Sequence, residues 1–273
     1  MSDVTALLLA DAAAVEPVGE GRFRVDLAPQ YTVFDLPHGG YVQCIMANAA
    51  LAAASDAGAH HVHATAVTTN FVAVPSVGAA LVSTQVRRVG RGASFVHVEL
   101  SQDGQVTTEA LVCVGNLHDD ARARWQASTM PDVARPDDCL VLPVHESMTI
   151  HHALELRADP RGPQWWNGEP GPADIALWLK LTDGGGPWSP WSTLFATDAM
   201  PPATLPLGST GWVPTMQLSS YVRRVPVTDW LLVRQWAVVV ADGFVDERCE
   251  LFDETGELVA VASQLAMVRF GQS

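Results

Sequence analysis

The feature that most constrains this chain is that it says the same thing twice. TTNFVAVP, with Phe71, returns as LSSYVRRVP, with Tyr221, at an offset of 221 − 71 = 150. ASFVHVELSQDGQVTTEALV returns as DGFVDERCELFDETGELVAVAS. Within it Glu99 matches Glu250 at 250 − 99 = 151, and Gly104 matches Gly256 at 256 − 104 = 152. A drift of two residues is what short loop insertions in a duplicated domain produce. Two such copies can pair about a pseudo-twofold axis and bury the surface each leaves open, as an isologous homodimer does.

Inside each copy the periodicity is that of an α+β fold. In HGGYVQCIMANAALAAASD, Val42, Ile45, Met46, Ala49, Ala50 and Ala53 recur at helical spacing, which predicts one helix of small residues packed closely on a sheet. Gly21–Leu27 alternates like a strand before it. Strand-like runs over His61–Val74, Ala79–Val89, Ser94–Ser101 and Val106–Leu117 follow it, with Asp103-Gly104 as a hairpin signal. Residues 119–145 carry Pro131, Pro136 and Pro143 without a period and read as a linker. The pattern then restarts: strands at Thr149–Arg157 and Asp174–Leu181, a short helix at Ser189–Met200, and strands at Trp212–Val225, Trp230–Ala241, Phe244–Phe252 and Glu257–Arg269. The expected domains are therefore 1–118 and 146–273.

Charge narrows the partners. Lys+Arg number 16 against 30 Asp+Glu, a net charge of −14, which argues against nucleic acid and anionic membrane surfaces. No apolar run reaches the ~20 residues of a membrane span, and the first fifteen residues lack the basic leader of a secretory signal. Cys44, Cys113, Cys139 and Cys249 are scattered among apolar residues, which reads as core thiols in a reducing cytoplasm. His60, His61, His63, His151 and His152 lack an acidic partner at ligand spacing, so neither a metal nor a cofactor is expected.

The two copies diverge at polar positions. Asp198 stands where the first copy has Asn48, Thr215 where it has Thr65, and Gln264 where it has Val112 (offsets 150, 150 and 152). One copy thus has carboxylate, hydroxyl and amide, and the other amide, hydroxyl and a methyl-bearing side chain. Two ancestral sites are expected to have become one. Taken singly, Asp198 reads as a carboxylate near a helix end, Thr215 as a strand residue and Gln264 as a surface strand residue.

FDLPHGGYVQCIMANAA, GRGASF at Gly90–Phe95, LFATDAMPPA, GWVPTMQLSSYVRR, DWLLV and DETGELVAVASQLAMVR together resemble the acyl-CoA thioesterase II family, the double-hotdog thioesterases. The resemblance implies a tandem hotdog fold, two antiparallel sheets each wrapping a central helix and joined into one surface. It implies hydrolysis of acyl-CoA by a water that an Asp, a Thr and a Gln position, roles that fall on Asp198, Thr215 and Gln264. The chain departs from the family at Met216–Ser219, at Pro201-Pro202 and at His38, differences that bear on the substrate.

Asp198 would act as general base, with Thr215 and Gln264 fixing the water. Gly39-Gly40 would let a substrate carbonyl approach the N–H groups at the first helix start, with His38 lining the site and Arg91 and Ser94 binding substrate. Arg87, Arg88, Arg223 and Arg224 are further candidates for the CoA phosphates. Trp165, Trp166, Trp188 and Trp191 are the tryptophans expected at a pocket or interface. Two other readings stay open: a non-catalytic acyl-CoA-binding protein, and a hotdog hydratase or dehydratase, for which Asp35 and His38 are the nearest Asp/His pair. Further association of such units into a homo-oligomer is compatible with the sequence.

Overall fold

The computed structural model describes residues 7–118, 122–143 and 145–271. A short helix, α1 (Leu9–Ala12), precedes the hairpin β1 (Glu16–Gly19)–β2 (Arg22–Leu27), the two-residue pair β3 (Thr32–Val33)–β4 (Leu36–Pro37), and the long helix α2 (Gly39–Asp56). A meander of β5 (His63–Phe71), β6 (Gly78–Arg88), β7 (Ser94–Gln102) and β8 (Gln105–Gly115) completes the first half. The second half runs β9 (Leu140–Val141), β10 (Leu154–Ala158), β11 (Asp174–Leu181), α3 (Ser192–Ala196), β12 (Thr215–Val222), β13 (Trp230–Ala241), β14 (Phe244–Asp253) and β15 (Leu258–Met267).

All but β3 and β4 belong to one 13-stranded sheet in the order β1-β2-β6-β7-β8-β5-β12-β15-β14-β13-β11-β10-β9. The order is a palindrome about its centre, where β5 meets β12 antiparallel with Asn70 opposite Gln217 and Ala66 opposite Tyr221. On either side, β8 answers β15, β7 answers β14, β6 answers β13 and β2 answers β11. The strand order thus has the same two-part form as the repeat in the sequence.

The helices break the symmetry. α2 is apolar nearly all round, and Tyr41 through Ala47 are buried without interruption. A helix of that kind must be enclosed, and α2 is covered by the sheet on one side and by α3 on the other. It begins at His38, whose ring accepts the Tyr41 N–H. It ends in a Schellman motif: Ala59 N–H reaches Ala54 O at 2.9 Å and Gly58 N–H reaches Ser55 O at 2.9 Å. Gly58 sits at φ +85°, where a side chain would be strained. α3, its counterpart, keeps only five residues. The expected span Ser189–Met200 is bracketed by Pro190 and Pro201-Pro202, which cannot sit inside a helix.

Two expectations need correcting. Thr149–Arg157 is not one strand: Thr149–His152 is a 3-10 turn. Thr149 Oγ1 there accepts the Thr32 N–H at 2.9 Å and so ties the second half to the first. The stretch read as a linker is a strap instead. The Gln126 amide donates to Gly256 O and its carbonyl accepts the Leu258 N–H at 2.8 Å. Trp178 Nε1 donates to Ala134 O at 2.8 Å. Met130, Val133 and Cys139 pack on a cluster of Trp178, Trp230, Leu232 and Phe252, and Leu140–Val141 adds an edge strand to β10. The prolines prevent a regular element without preventing burial.

Candidate active site

The start of α2, in the first half, lies against the end of α3, in the second. Asp198 Oδ2 accepts the Gly40 N–H at 2.9 Å and lies 3.4 Å from His38 Nε2. That nitrogen also bonds the Asp198 carbonyl at 2.9 Å. His38 Nδ1 accepts the Tyr41 N–H at 3.3 Å, which places the ring proton on Nε2, where it donates to Asp198. His38 is therefore a buried, doubly bonded residue that caps one half and holds the carboxylate of the other.

Glycine is required here for space. A Cβ on Gly39 would lie 2.6 Å from Asp198 Oδ2, and one on Gly40 would lie 2.7 Å from Phe195 O. The pair lets the helix start close on the carboxylate. Asp198 is one-tenth exposed (11% for the side chain), and that burial pushes its pKa above the usual carboxylate range, while the His38 ring and the Gly40 N–H pull it back.

Thr215 and Gln264 meet one another on the neighbouring strands β12 and β15, with Thr215 Oγ1 donating to Gln264 Oε1 at 3.2 Å. Among the described residues no hydrogen bond joins either of them to Asp198. Gln264 lines a crevice with Thr197, Leu218 and Glu247. Thr197 adjoins Asp198 in sequence, and its hydroxyl lies 2.9 Å from Ser220 Oγ, which donates to Gln43 Oε1 at 2.8 Å. Gln43 is fully buried on α2 and donates in turn to Thr69 Oγ1 at 3.1 Å and Leu218 O at 3.2 Å. A satisfied polar chain thus crosses the core between the halves beneath the site.

Sequence reasoning missed Glu247. It is 1% exposed and accepts the Ala203 N–H at 2.8 Å, Gln235 Nε2 at 3.1 Å and Gln264 Nε2. Burial raises its pKa, its hydrogen bonds lower it, and the charge of Asp198 raises it again, so the two carboxylates feel each other. The signal was in the alternation of β14: Glu247 shares its phase with Val245, Cys249 and Leu251, all buried. A glutamate in an inward row needs partners or a purpose.

Arg91 and Ser94 are not brought to this site. Ser94 Oγ bonds His61 Nδ1 at 3.1 Å and accepts the Gly90 N–H at 3.3 Å, holding the β6–β7 turn, and Arg91 is exposed in that turn. Ser94 pairs with Val114 beside the start of β5, whereas Phe71, at the far end of β5, is the residue beside Gly39. Eight steps along a strand separate those ends by about 26 Å. Arg224 is paired with Glu257 at 3.0 Å. Trp191 bridges the helices through Nε1 to Cys44 O at 3.2 Å, Trp188 is buried, and Trp165 and Trp166 line a separate cavity of about 170 Å³. Asp35 is exposed at φ 64°, and the acid that His38 does meet is Asp198.

An acyl-CoA thioesterase N-terminal domain family matches residues 27–115, and an acyl-CoA thioesterase C-terminal domain family matches residues 136–268. The chain belongs to the acyl-CoA thioesterase family. The join between the two matches coincides with the strap, so each half of this thioesterase-family chain carries its own domain type. An uncharacterized protein of Mycobacterium tuberculosis is 27% identical over 281 residues, covering 90% of each chain. A proposed thioesterase II from Thermobifida fusca is 27% identical, covers 96% of this chain and 97% of its own, and superposes with a TM-score of 0.86. A hot dog fold protein of unknown function from Alicyclobacillus acidocaldarius superposes at 0.82 with 20% identity over 97% of this chain and 98% of its own. The mostly antiparallel sheet with few helices is therefore of the hotdog kind, and no helix among the described residues is long and apolar enough to cross a membrane.

Proposed function

We propose that the protein hydrolyses acyl-CoA to a free acid and CoA, on two hotdog units in tandem, near 1–118 and 146–273, that share one site. The observation that carries the reading is the Asp198 carboxylate of the second half, buried at the glycine-lined start of α2 in the first.

Asp198 takes a proton from a water whose oxygen attacks the thioester carbonyl carbon. Thr215 and Gln264 hold that water in line, a role that positioning alone makes worth several orders of magnitude in effective concentration. The carbonyl π electrons move onto oxygen, and the α2 dipole and the N–H groups of Gly39 and Gly40 stabilise that charge. As Asp198 becomes protonated it is a poorer acceptor, which frees the Gly40 N–H for the oxyanion. Collapse of the intermediate expels the CoA thiolate, which takes the proton held by Asp198 and so restores the base, and the acid releases its own proton to solvent and leaves as carboxylate. Burial favours this role for Asp198, because a base is most useful when its pKa approaches the working pH. No step draws on a metal or cofactor.

One observation favours a second reading, an acyl-CoA-binding protein without turnover: among the described residues no hydrogen bond joins Asp198 to Thr215 or Gln264. Thiol release from acyl-CoAs of graded chain length separates the two. Release above the spontaneous rate supports hydrolysis, and saturable binding without release supports the second reading.

A further inference from the structure

Glu247 is a carboxylate that the proposed reaction leaves unused, although it lies at the heart of the site. It stands directly opposite Gln264 in the β14–β15 ladder. An ionised carboxylate only accepts hydrogen bonds, so Gln264 must turn its amino end to Glu247 and its carbonyl end to Thr215. The Thr215 proton is then committed to Gln264 Oε1 at 3.2 Å, and the Thr215 lone pairs remain to receive a proton of water. The Ala203 N–H and Gln235 Nε2 anchor the carboxylate from two further elements.

The duplication supplies the control. At the offsets 247 − 96 = 151 and 264 − 112 = 152, the matching residues of the first half are Val96 and Val112. They also stand opposite one another, and both are fully buried. Two valines satisfy this place in the fold, so packing does not call for a buried carboxylate and amide. The polar pair occurs in the half that carries Asp198, whereas the first half has Asn48 bonded to Ala13 O at 2.8 Å and Thr65 bonded to Cys113 O at 3.1 Å.

We propose that Glu247 is a positioning residue: it locks the Gln264 amide in one of its two orientations, so that Thr215 and Gln264 offer the attacking water a fixed set of acceptors. This role rests on the thioesterase reading above. Glu247→Gln keeps the shape but lets the partner donate as well as accept, so the orientation is no longer imposed. We expect kcat to fall about 10-fold with KM within about twofold of wild type. The Gln264 side-chain NH₂ resonances, assigned by their loss in Gln264→Glu, should move in ¹H–¹⁵N spectra. The exchange Glu247→Gln/Gln264→Glu keeps one carboxylate and one amide, with an acceptor again facing Thr215. It should recover most of the lost kcat, whereas Gln264→Glu alone, with two carboxylates face to face, should not. A merely structural carboxylate would show no such recovery. Unmoved Gln264 resonances in Glu247→Gln overturn the lock, and if that variant does not fold, an exchange variant no more active than Gln264→Glu alone overturns it. Moved resonances with wild-type kcat overturn its catalytic consequence. Moved resonances in a protein whose wild type releases no thiol from any acyl-CoA support the lock and overturn the thioesterase reading instead.

Discussion

Gly40 donates its backbone N–H to Asp198 Oδ2 at 2.9 Å across 158 positions of sequence. The bond joins the start of α2 in one half to a residue just beyond α3 in the other, so the proposed site draws on both halves.

The neighbouring glycines should answer differently to alanine. At Gly39 the new Cβ meets the end of a side chain, Asp198 Oδ2, at 2.6 Å, so Gly39→Ala should displace the carboxylate and lower kcat at least 10-fold with little loss of stability. At Gly40 it meets the backbone oxygen of Phe195 at 2.7 Å, which cannot swing away. Gly40→Ala should cost about 1–3 kcal/mol. Chemical denaturation and steady-state kinetics on both variants check this, and equal loss of stability in the two would contradict it.

The strap makes a prediction far from the site. Gln126 gives its amide to Ser128 O and Gly256 O and takes the Leu258 N–H. Gln126→Ala leaves those groups to water where they can reach it, at a cost of about 1–2 kcal/mol. Trypsin should then cut near Arg122 and Arg124 faster than in wild type, while kcat stays the same. An unchanged cleavage rate would mean that packing of Met130, Val133 and Cys139 holds the strap without Gln126.

These positions show which parts of the molecule the sequence discloses. The meander and α2 were legible because period and turn chemistry agree there, as in Asp103-Gly104 and in the small-residue stripe of α2. The pairing of halves was legible because Phe71 and Tyr221 keep their offset. The strap was not, since burial of single residues between prolines leaves no period. Asp198 and Gln264 stood out by contrast with Asn48 and Val112, whereas Thr215, matched by Thr65, was marked by the family resemblance. His38 stood out as lining the site but not as the partner of the carboxylate, and Glu247 not at all, because a histidine before a glycine pair and a glutamate in DERCEL each have an ordinary solvent-facing reading. Only the partners that the fold brings, Asp198 to one and Gln264 to the other, remove it.

Burial sets a pH dependence of stability whose sign can be worked out. Asp198 and Glu247 both have raised pKa values in the fold. Between the usual carboxylate value of about 4 and those raised values, the native state binds protons that the unfolded chain does not. Their contribution therefore falls as pH rises through that window. His151, held down to about 4 by burial and by neighbouring histidines, works the other way, so the comparison must be a difference between proteins. Relative to wild type, Asp198→Asn should gain stability as pH rises from about 4 to 7. Urea unfolding of both proteins across that range measures it, and parallel curves would show that Asp198 titrates normally.

The same substitution tests the chemistry. Asp198→Asn leaves an oxygen to accept the Gly40 N–H, and the fold accepts an amide at the equivalent Asn48, so folding and acyl-CoA affinity should be preserved. It removes the group that takes a proton from water, and loss of a general base costs on the order of 10²-fold or more in kcat. In wild type, kcat should also fall on the acid side as Asp198 protonates, at a pH above the ordinary carboxylate value because its pKa is raised. The residual activity of Asp198→Asn should lack that limb. The reverse change, Asn48→Asp, should create no second site, because Val112 and Val96 stand where Gln264 and Glu247 would be needed. Stopped-flow thiol release against pH for the three proteins measures all of this. An Asp198→Asn enzyme within a few-fold of wild type, with its acid limb intact, would place the base elsewhere, and the neighbouring carboxylate of Glu247 would be the next to substitute.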